Sequence, residues 1–273
     1  MKIKSHKLFH SDGLQVKFKR SPNQSSAVIN PRFLVMHYTA GSSAESSINW
    51  LINPKAKASA HIVIGRDGSI VQLVDFNRKA WHAGKSHWRG VNGLNSYSIG
   101  IELDNPGLLQ GSSGNWKTAW GKPVSDNEVL EQKSSFGKIK GWHTYTELQL
   151  EVAAEVSLAI VRHYNIEEVI GHDDISPGRK NDPGAAFPMS TFQNLAAGRS
   201  SDESDNIFQT STALNIRKGP GTEYDKFTEV SPLPKGTNLS VIESHGIWRK
   251  VDVIDVINNE MDIVGWVHGR YLS

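Results

Sequence analysis

The sequence predicts an α/β domain followed by a small all-β barrel. Between residues 31 and 197, short apolar runs typical of buried strands alternate with amphipathic segments typical of helices. Beyond residue 207 every apolar run is short, and Gly/Pro turns separate the runs. We therefore expect four regions: an N-terminal arm over 1–30, the α/β domain over 31–197, a polar linker over 198–206 and the barrel over 207–273.

The first predicted elements of the α/β domain are a strand and a short helix. The apolar run Phe33–Met36 predicts a buried strand that ends at His37. Ser42 and Glu45 have the spacing of a capping box, which predicts a helix that runs through Leu51. The strand therefore delivers an imidazole just before a turn of small residues.

A hairpin and a further strand follow. Asp67-Gly68 lies between the apolar runs 61–64 and 70–74, and this pattern predicts a β-hairpin. The run 98–103 predicts another strand, with Glu102 near its exit. Residues 105–145 show no clear period, and a structureless loop of that length is usually functional or mobile.

The longest helix is predicted over residues 146–164. Thr146 and Gln149 have capping-box spacing, and apolar residues recur after them at helical intervals. Asn165 is a suitable C-terminal stop for this helix. The short run Glu168–Ile170 then predicts a strand that leads directly to His172.

Composition limits the classes of protein and of site. Hydrophobic residues make up 38% and charged residues 21% of the 273 positions, as in soluble globular proteins. The formal net charge of +2 is too small to indicate a nucleic-acid partner. The absence of cysteine excludes disulfides, thiolate metal sites and a cysteine nucleophile. No apolar run approaches the roughly 18 residues that a membrane span requires, so none is expected.

Three polar side chains lie at, or just after, predicted strand ends. They are His37, His172 and Asp182, the last in a Pro/Gly-rich loop ten residues after His172. Two imidazoles and one carboxylate, with a fourth position open to water, are a ligand set of catalytic zinc. For each histidine the alternative is an ordinary hydrogen-bonded side chain at a strand end. Spacing along the sequence does not decide whether His37 and His172 meet.

A series of short motifs resembles the zinc-dependent N-acetylmuramoyl-L-alanine amidases of the type 2 class, a superfamily that includes peptidoglycan recognition proteins. The motifs occur in family order over about residues 31–195, and they are Val35–Thr39, Ser59–Gly68, Ala80–Gly84, Ser98–Glu102 and Gly171–Gly184. This resemblance implies a central mixed β-sheet flanked by helices. It also implies that His37, His172 and Asp182 bind Zn²⁺.

The same resemblance implies catalytic roles for two further residues. Glu102 falls where the family has its acid/base carboxylate, and Lys180 where it has a lysine near the oxyanion. Without the resemblance, Glu102 is a solvated strand-end carboxylate and Lys180 an ordinary loop lysine. We expect a hydrolase of the amide between N-acetylmuramic acid and L-alanine of peptidoglycan. The alternatives are a non-catalytic recognition protein that binds peptidoglycan, and a recycling amidase that acts on soluble muropeptides.

Candidate substrate contacts are His82, Arg89 and Arg179. His82 lies in a loop of small residues that let a ligand approach. Some relatives carry a basic residue shortly before the strand that holds Glu102, but here the corresponding stretch is 92–95, Asn-Gly-Leu-Asn. Arg89 or Arg179 is expected in its place. Aromatic side chains in the long loop either stack on sugar rings or anchor that loop: Trp116, Trp120 and Trp142.

Residues 207–273 resemble a bacterial SH3 domain. The resemblance implies docking on cell-wall peptide, whereas the alternative is a barrel that only packs on or stabilises the amidase. The N-terminal residues lack the apolar segment of a classical signal peptide. We therefore expect cytoplasmic synthesis, followed by action on the wall, in the periplasm or in a target cell, after specialised export or lysis.

Overall fold

A six-stranded sheet is the framework of residues 1–189, the first of two units into which the chain divides. The computed structural model describes residues 1–133, 138–197, 207–260 and 263–273. The strands of this unit are β1 Lys2–Lys4, β2 Lys7–Phe9, β3 Lys17–Phe18, β4 Gln24–Val28, β5 Phe33–Tyr38, β6 Ile62–Ile64, β7 Ile70–Gln72, β8 Arg78–Ala80, β9 His87–Trp88, β10 Val91–Asn92, β11 Ser98–Leu103, β12 Gln110–Ser112, β13 Asn115–Lys117, β14 Val129–Lys133, β15 Ile139–His143 and β16 Glu168–Gly171.

Helices α1 Ala44–Leu51, α2 Glu147–Tyr164 and α3 His172–Ile175 belong to the same unit, and α4 Met189–Ala197 crosses its boundary. The strand order of the main sheet is β16-β5-β11-β6-β7-β3. The strands from β16 to β6 are parallel neighbours, β7 runs antiparallel to β6, and β3 is parallel to β7. The mixed sheet predicted for this region is confirmed.

Burial on both faces explains the continuous apolar sequence of the central strands. Every residue of β5 up to His37 is buried, and Ile99 and Ile101 of β11 are fully buried. In the parallel ladder Glu102 lies opposite His37, and Gly171 lies opposite Met36. The carboxyl ends of β5, β11 and β16 therefore meet at one edge of the sheet, where α/β folds build their sites.

The two predicted helices form, with one correction. Helix α2 is capped by Thr146, whose hydroxyl accepts a hydrogen bond from the Gln149 amide, and Asn165 ends it in the left-handed region at φ 54°. For α1 the predicted cap was wrong by one residue. Ser43, not Ser42, has the extended backbone of an N-cap, and its hydroxyl accepts from the Ser46 amide.

The N-terminal residues, whose structure the sequence left open, are integrated into the first unit. Strands β1 and β2 form a hairpin, and β3 extends the edge of the main sheet. Leu8 and Val16 are buried, and the buried Gln72 side chain accepts from the Leu8 amide and donates to the His6 carbonyl. These contacts give Leu8 and Val16 a place in the hydrophobic core.

The long stretch 105–145 is largely structured where it is described, contrary to the expectation of a loop. Strands β12 and β13 pair antiparallel, as do β14 and β15. Trp116 and Trp142 are buried at 3% and 6% exposure, so these two side chains anchor the segment to the domain. Trp120 is 44% exposed. This stretch shows no clear period because its strands are short and most of their residues are exposed or half-buried.

The framework of the second unit is a four-stranded β-sheet. Strands β17 Ile207–Gln209, β18 Asn238–His245, β19 Trp248–Val253 and β20 Ile263–His268 form one antiparallel sheet in chain order. They enclose an apolar cluster that includes Ile216, Leu233 and Val251. The predicted linker 198–206 lies outside the described residues, so the domain boundaries stay predictions. Among the described helices, none combines the length and the apolarity that crossing a membrane would require.

Candidate metal centre

Three buried side chains converge at the carboxyl edge of the main sheet. The Nδ1 atoms of His37 and His172 are 2.9 Å apart, and Asp182 Oδ2 lies 2.9 Å from the first and 2.8 Å from the second. His37 belongs to β5, and His172 is the first residue of α3, directly after β16. The structure therefore brings together the three side chains that the sequence proposes as ligands.

The loop that carries Asp182 is held by contacts on both sides. The Asp173 amide donates to the Asp182 carbonyl at 2.8 Å, and the Tyr145 hydroxyl donates to the Pro183 carbonyl at 2.8 Å. Gly184 adopts φ +74°, and a Cβ there would lie 2.4 Å from the ring of Trp142. Only glycine fits this position, which explains the end of the Asp-Pro-Gly motif.

The donor set fits a metal cation. His172 Nε2 lies 3.2 Å from the Ala83 carbonyl oxygen, an acceptor, so this contact places a proton on Nε2 and leaves Nδ1 to face the other two side chains. Burial lowers the pKa of His37 to about 4, which leaves its ring neutral at pH 7.

One carboxylate oxygen and two imidazole nitrogens face one another at 2.8–2.9 Å, an arrangement that a cation between them stabilises. In a tetrahedral zinc site with ligands at about 2.0–2.1 Å, neighbouring donor atoms are about 3.3 Å apart. The sides of the observed triangle are about half an ångström shorter than that spacing. The cluster can therefore hold a metal ion with small side-chain adjustments.

Glu102 lies beside the cluster, opposite His37 in the β5–β11 ladder. Its Oε2 is buried, and the described residues offer this atom no hydrogen-bond partner. Burial, followed by the negative charge of Asp182, raises the pKa of Glu102 well above its ordinary value, while Lys180 opposes the rise. Lys180 is half-buried, two residues before Asp182. A carboxyl and an ammonium group thus flank the candidate centre.

A groove of about 300 Å³ opens at Glu102. Thr39, Gly41 and Ser46 line it, and Trp50 of α1 forms part of its wall with 57% of its surface exposed. Sequence reasoning did not identify these wall residues as functional. The signal that could have found them is the small-residue turn directly after His37, which leaves room for a ligand.

The remaining predicted site residues make contacts within the protein. His82 is 9% exposed, and its Nδ1 lies 3.0 Å from His37 Nε2. Arg89 is exposed and forms an ion pair with Glu168 at 3.1 Å. Arg179 donates to the carbonyls of Ala83 and Lys85. Contact of these three side chains with substrate stays a prediction.

Comparison with known proteins assigns both regions of the chain to characterised sequence families. The profile described as N-acetylmuramoyl-L-alanine amidase matches residues 27–185, and the profile of the bacterial SH3 domain matches residues 212–273. Both resemblances drawn from the sequence motifs are thereby confirmed.

Individual relatives show the same similarity. The 1,6-anhydro-N-acetylmuramyl-L-alanine amidase AmpD of Escherichia coli is 31% identical over 61% of this chain and 83% of its own length. The N-acetylmuramoyl-L-alanine amidase A of Achromobacter lyticus is 34% identical over 66% of this chain and 88% of its own length. Among solved structures, a selenomethionine derivative of AmpD matches at 27% identity with a TM-score of 0.47, covering 71% of this chain and 99% of that one.

The cluster geometry predicts that Asp182→Asn weakens metal binding. The change keeps the shape of the side chain but removes the one anionic donor, so affinity for Zn²⁺ should fall by at least about tenfold. Titration calorimetry on protein stripped of metal measures this. Asp173→Asn, a half-exposed carboxylate next to His172 and outside the triangle, is the matched control and should bind one equivalent. Equal affinity of both variants would count against the centre.

Proposed function

The chain belongs to the N-acetylmuramoyl-L-alanine amidase family, enzymes that act on peptidoglycan, and we propose that His37, His172 and Asp182 hold the zinc ion of this reaction. The observation that carries the proposal is their convergence to 2.8–2.9 Å beside the groove that Glu102 lines. When bound, zinc supplies Lewis acidity that polarises the amide carbonyl and makes water easier to deprotonate.

Glu102 is the proton carrier in this proposal. Its buried Oε2, which has no hydrogen-bond partner among the described residues, accepts a proton from the attacking water. The same atom then donates that proton to the nitrogen of the leaving L-alanine. The raised pKa of Glu102 supports the second step, because a carboxyl group with an ordinary pKa holds a proton poorly at neutral pH. The positive charge of Lys180 lowers this pKa and so favours the carboxylate that the first step needs.

Lys180 stabilises the negative charge that develops on the carbonyl oxygen. Lys180 lies two residues before Asp182 in the same loop, and its positive charge lowers the pKa of both Glu102 and His37. A half-buried lysine provides a compact point charge whose interaction with an oxyanion is strengthened by the loss of surrounding water.

The groove beside Glu102 receives the substrate. Small residues from Thr39 to Gly41 allow a chain to approach the reacting carboxyl, and the exposed face of Trp50 offers a surface for a sugar ring or an aliphatic stem residue. A groove open to solvent suits a polymer, since both ends of the bound segment must leave the site.

Intact wall peptidoglycan is the proposed substrate, and the SH3 domain is proposed to dock the enzyme on it, in the periplasm or on a target cell. The presence of that domain behind the catalytic region supports this assignment. A second candidate is recycling of soluble anhydromuropeptides, because the E. coli relative is named for the 1,6-anhydro-N-acetylmuramyl substrate.

The reaction itself is tested on purified sacculi and on a soluble anhydromuropeptide. We expect new L-alanine amino termini from both substrates, loss of release after treatment with a chelator, and recovery on adding Zn²⁺ back. N-terminal labelling with mass spectrometry identifies the bond. Release from the soluble substrate alone would support the recycling alternative, and no release from either would refute the hydrolase.

Glu102→Gln should lower kcat by about 10²–10⁴-fold, because an amide cannot exchange the proton. Zinc affinity should stay at the wild-type value, since Glu102 is outside the ligand triangle. Steady-state kinetics and calorimetry on the same preparation measure the two quantities. Glu45→Gln, an exposed change in α1, is the control. Wild-type turnover in the Glu102 variant would remove its role as proton carrier.

If the SH3 domain docks the enzyme on the wall, removing this domain should impair action on large sacculi but not on small soluble substrates. A chain ending at residue 197 should bind sacculi more weakly in a pull-down, yet cleave soluble muropeptides at the rate of the full chain. The soluble assay also reports whether the shortened chain folds. Undiminished pull-down would instead support a barrel that only stabilises the enzyme.

A further inference from the structure

His82 forms a continuous line of hydrogen bonds behind the candidate ligand His37. Its Nδ1 lies 3.0 Å from His37 Nε2, and its Nε2 lies 3.3 Å from the Ser98 hydroxyl oxygen. The Ser98 hydroxyl in turn donates to the Leu94 carbonyl at 2.6 Å. His82, His37 and Ser98 are all buried, so water does not compete for these bonds.

The end of this line determines where each proton lies. A carbonyl oxygen only accepts, so the Ser98 proton points toward Leu94 and leaves the Ser98 oxygen to accept from His82 Nε2–H. A neutral imidazole carries one proton, and His82 Nδ1 is therefore an acceptor. It accepts from His37 Nε2–H, which leaves His37 Nδ1 bare and facing the metal centre.

The neighbouring residue has the same effect on the second ligand. The Ala83 carbonyl accepts from His172 Nε2–H at 3.2 Å and from Arg179 Nη2 at 3.0 Å. Arg179 Nη2 also lies 3.4 Å from His172 Nε2, but its protons point to the nearer oxygens of Ala83, Lys85 and Ser176. His172 Nδ1 is thereby left bare as well. Two consecutive residues, one through its side chain and one through its backbone, direct both imidazoles in the same way.

The loop that carries these two residues is itself fixed. Asn95 Oδ1 accepts from the amides of His82 at 3.0 Å and Ala83 at 2.7 Å. The His82 ring also lies against β11 at Gly100, where a Cβ would come within 2.5 Å of His82 Nδ1. Asn95 thus anchors the loop, and Gly100 leaves space for the His82 ring.

We propose that His82 and Ala83 form a tautomer clamp, which holds the protons of His37 and His172 on Nε2 so that both Nδ1 atoms are ready for the metal. His82 is then a positioning residue rather than a substrate contact. The clamp rests on the proposed metal centre and deepens it. Without it, a proton on Nδ1 would block coordination, and the ring could turn away from the site.

The tautomers are measured directly on the metal-free, full-length protein. With ¹⁵N-labelled histidine at neutral pH, two-bond ¹H–¹⁵N correlations distinguish Nδ1–H from Nε2–H. We expect the Nε2–H form for His37, His82 and His172. An Nδ1–H form at His37 or His172 overturns the proposal, whatever the activity of the enzyme.

Substitution of His82 tests the consequence for metal affinity. His82→Leu removes the acceptor for His37 Nε2–H, and Zn²⁺ affinity should fall about 10–100-fold in competition with a chromophoric chelator. His61→Leu is the matched control. The His61 ring is fully buried, and its centroid lies 5.8 Å from that of His82. It forms hydrogen bonds with the Arg78 carbonyl and the Gly100 amide, and none with a proposed zinc ligand. His61→Leu should lower Tm but keep the zinc affinity.

Asn95 supplies a test that leaves both histidines in place. Asn95→Asp retains the oxygen that accepts both amides and should keep wild-type zinc affinity, whereas Asn95→Leu removes it and should weaken binding. Equal affinity of the two variants overturns the clamp. If wild-type protein binds no zinc, the proposed function fails; if wild type and His82→Leu bind equally well, only the clamp fails.

Discussion

The parallel pairing of β16, β5 and β11 is the constraint on which the candidate site depends. Its register sets Gly171 opposite Met36 and Glu102 opposite His37, so two imidazoles and a carboxyl group emerge at one edge. A slip of one residue would turn each side chain to the other face of the sheet. Apolar residues covered on both faces resist such a slip, because it would change the packing of the whole core.

Segments distant in sequence support the one ligand that the sheet does not hold. Asp182 lies in a loop, and its position is determined by Tyr145 and Trp142, which contact Pro183 and Gly184. Trp142 belongs to β15, at the end of the long stretch that the sequence left without structure. Strand β15 therefore supports the loop that carries Asp182.

The candidate metal centre combines groups that the fold holds in different protonation states. Burial keeps the His37 ring neutral and favours the protonated form of Glu102. Both shifts have the same cause, because a low dielectric environment disfavours the charged form of each group. It therefore lowers the pKa of an imidazole and raises the pKa of a carboxyl group.

The sequence by itself determined the fold class, the helix of residues 147–164 with its Thr146 cap, and the candidate residues His37, His172 and Asp182. Local periodicity and short motifs carry that information. Only the tertiary structure decided that the three donors meet, that His82 bonds His37, and that Lys17 and Phe18 complete the sheet edge. His37 lies 45 positions from His82 and 145 positions from Asp182. Their distances depend on strand register and loop packing, which no local pattern specifies.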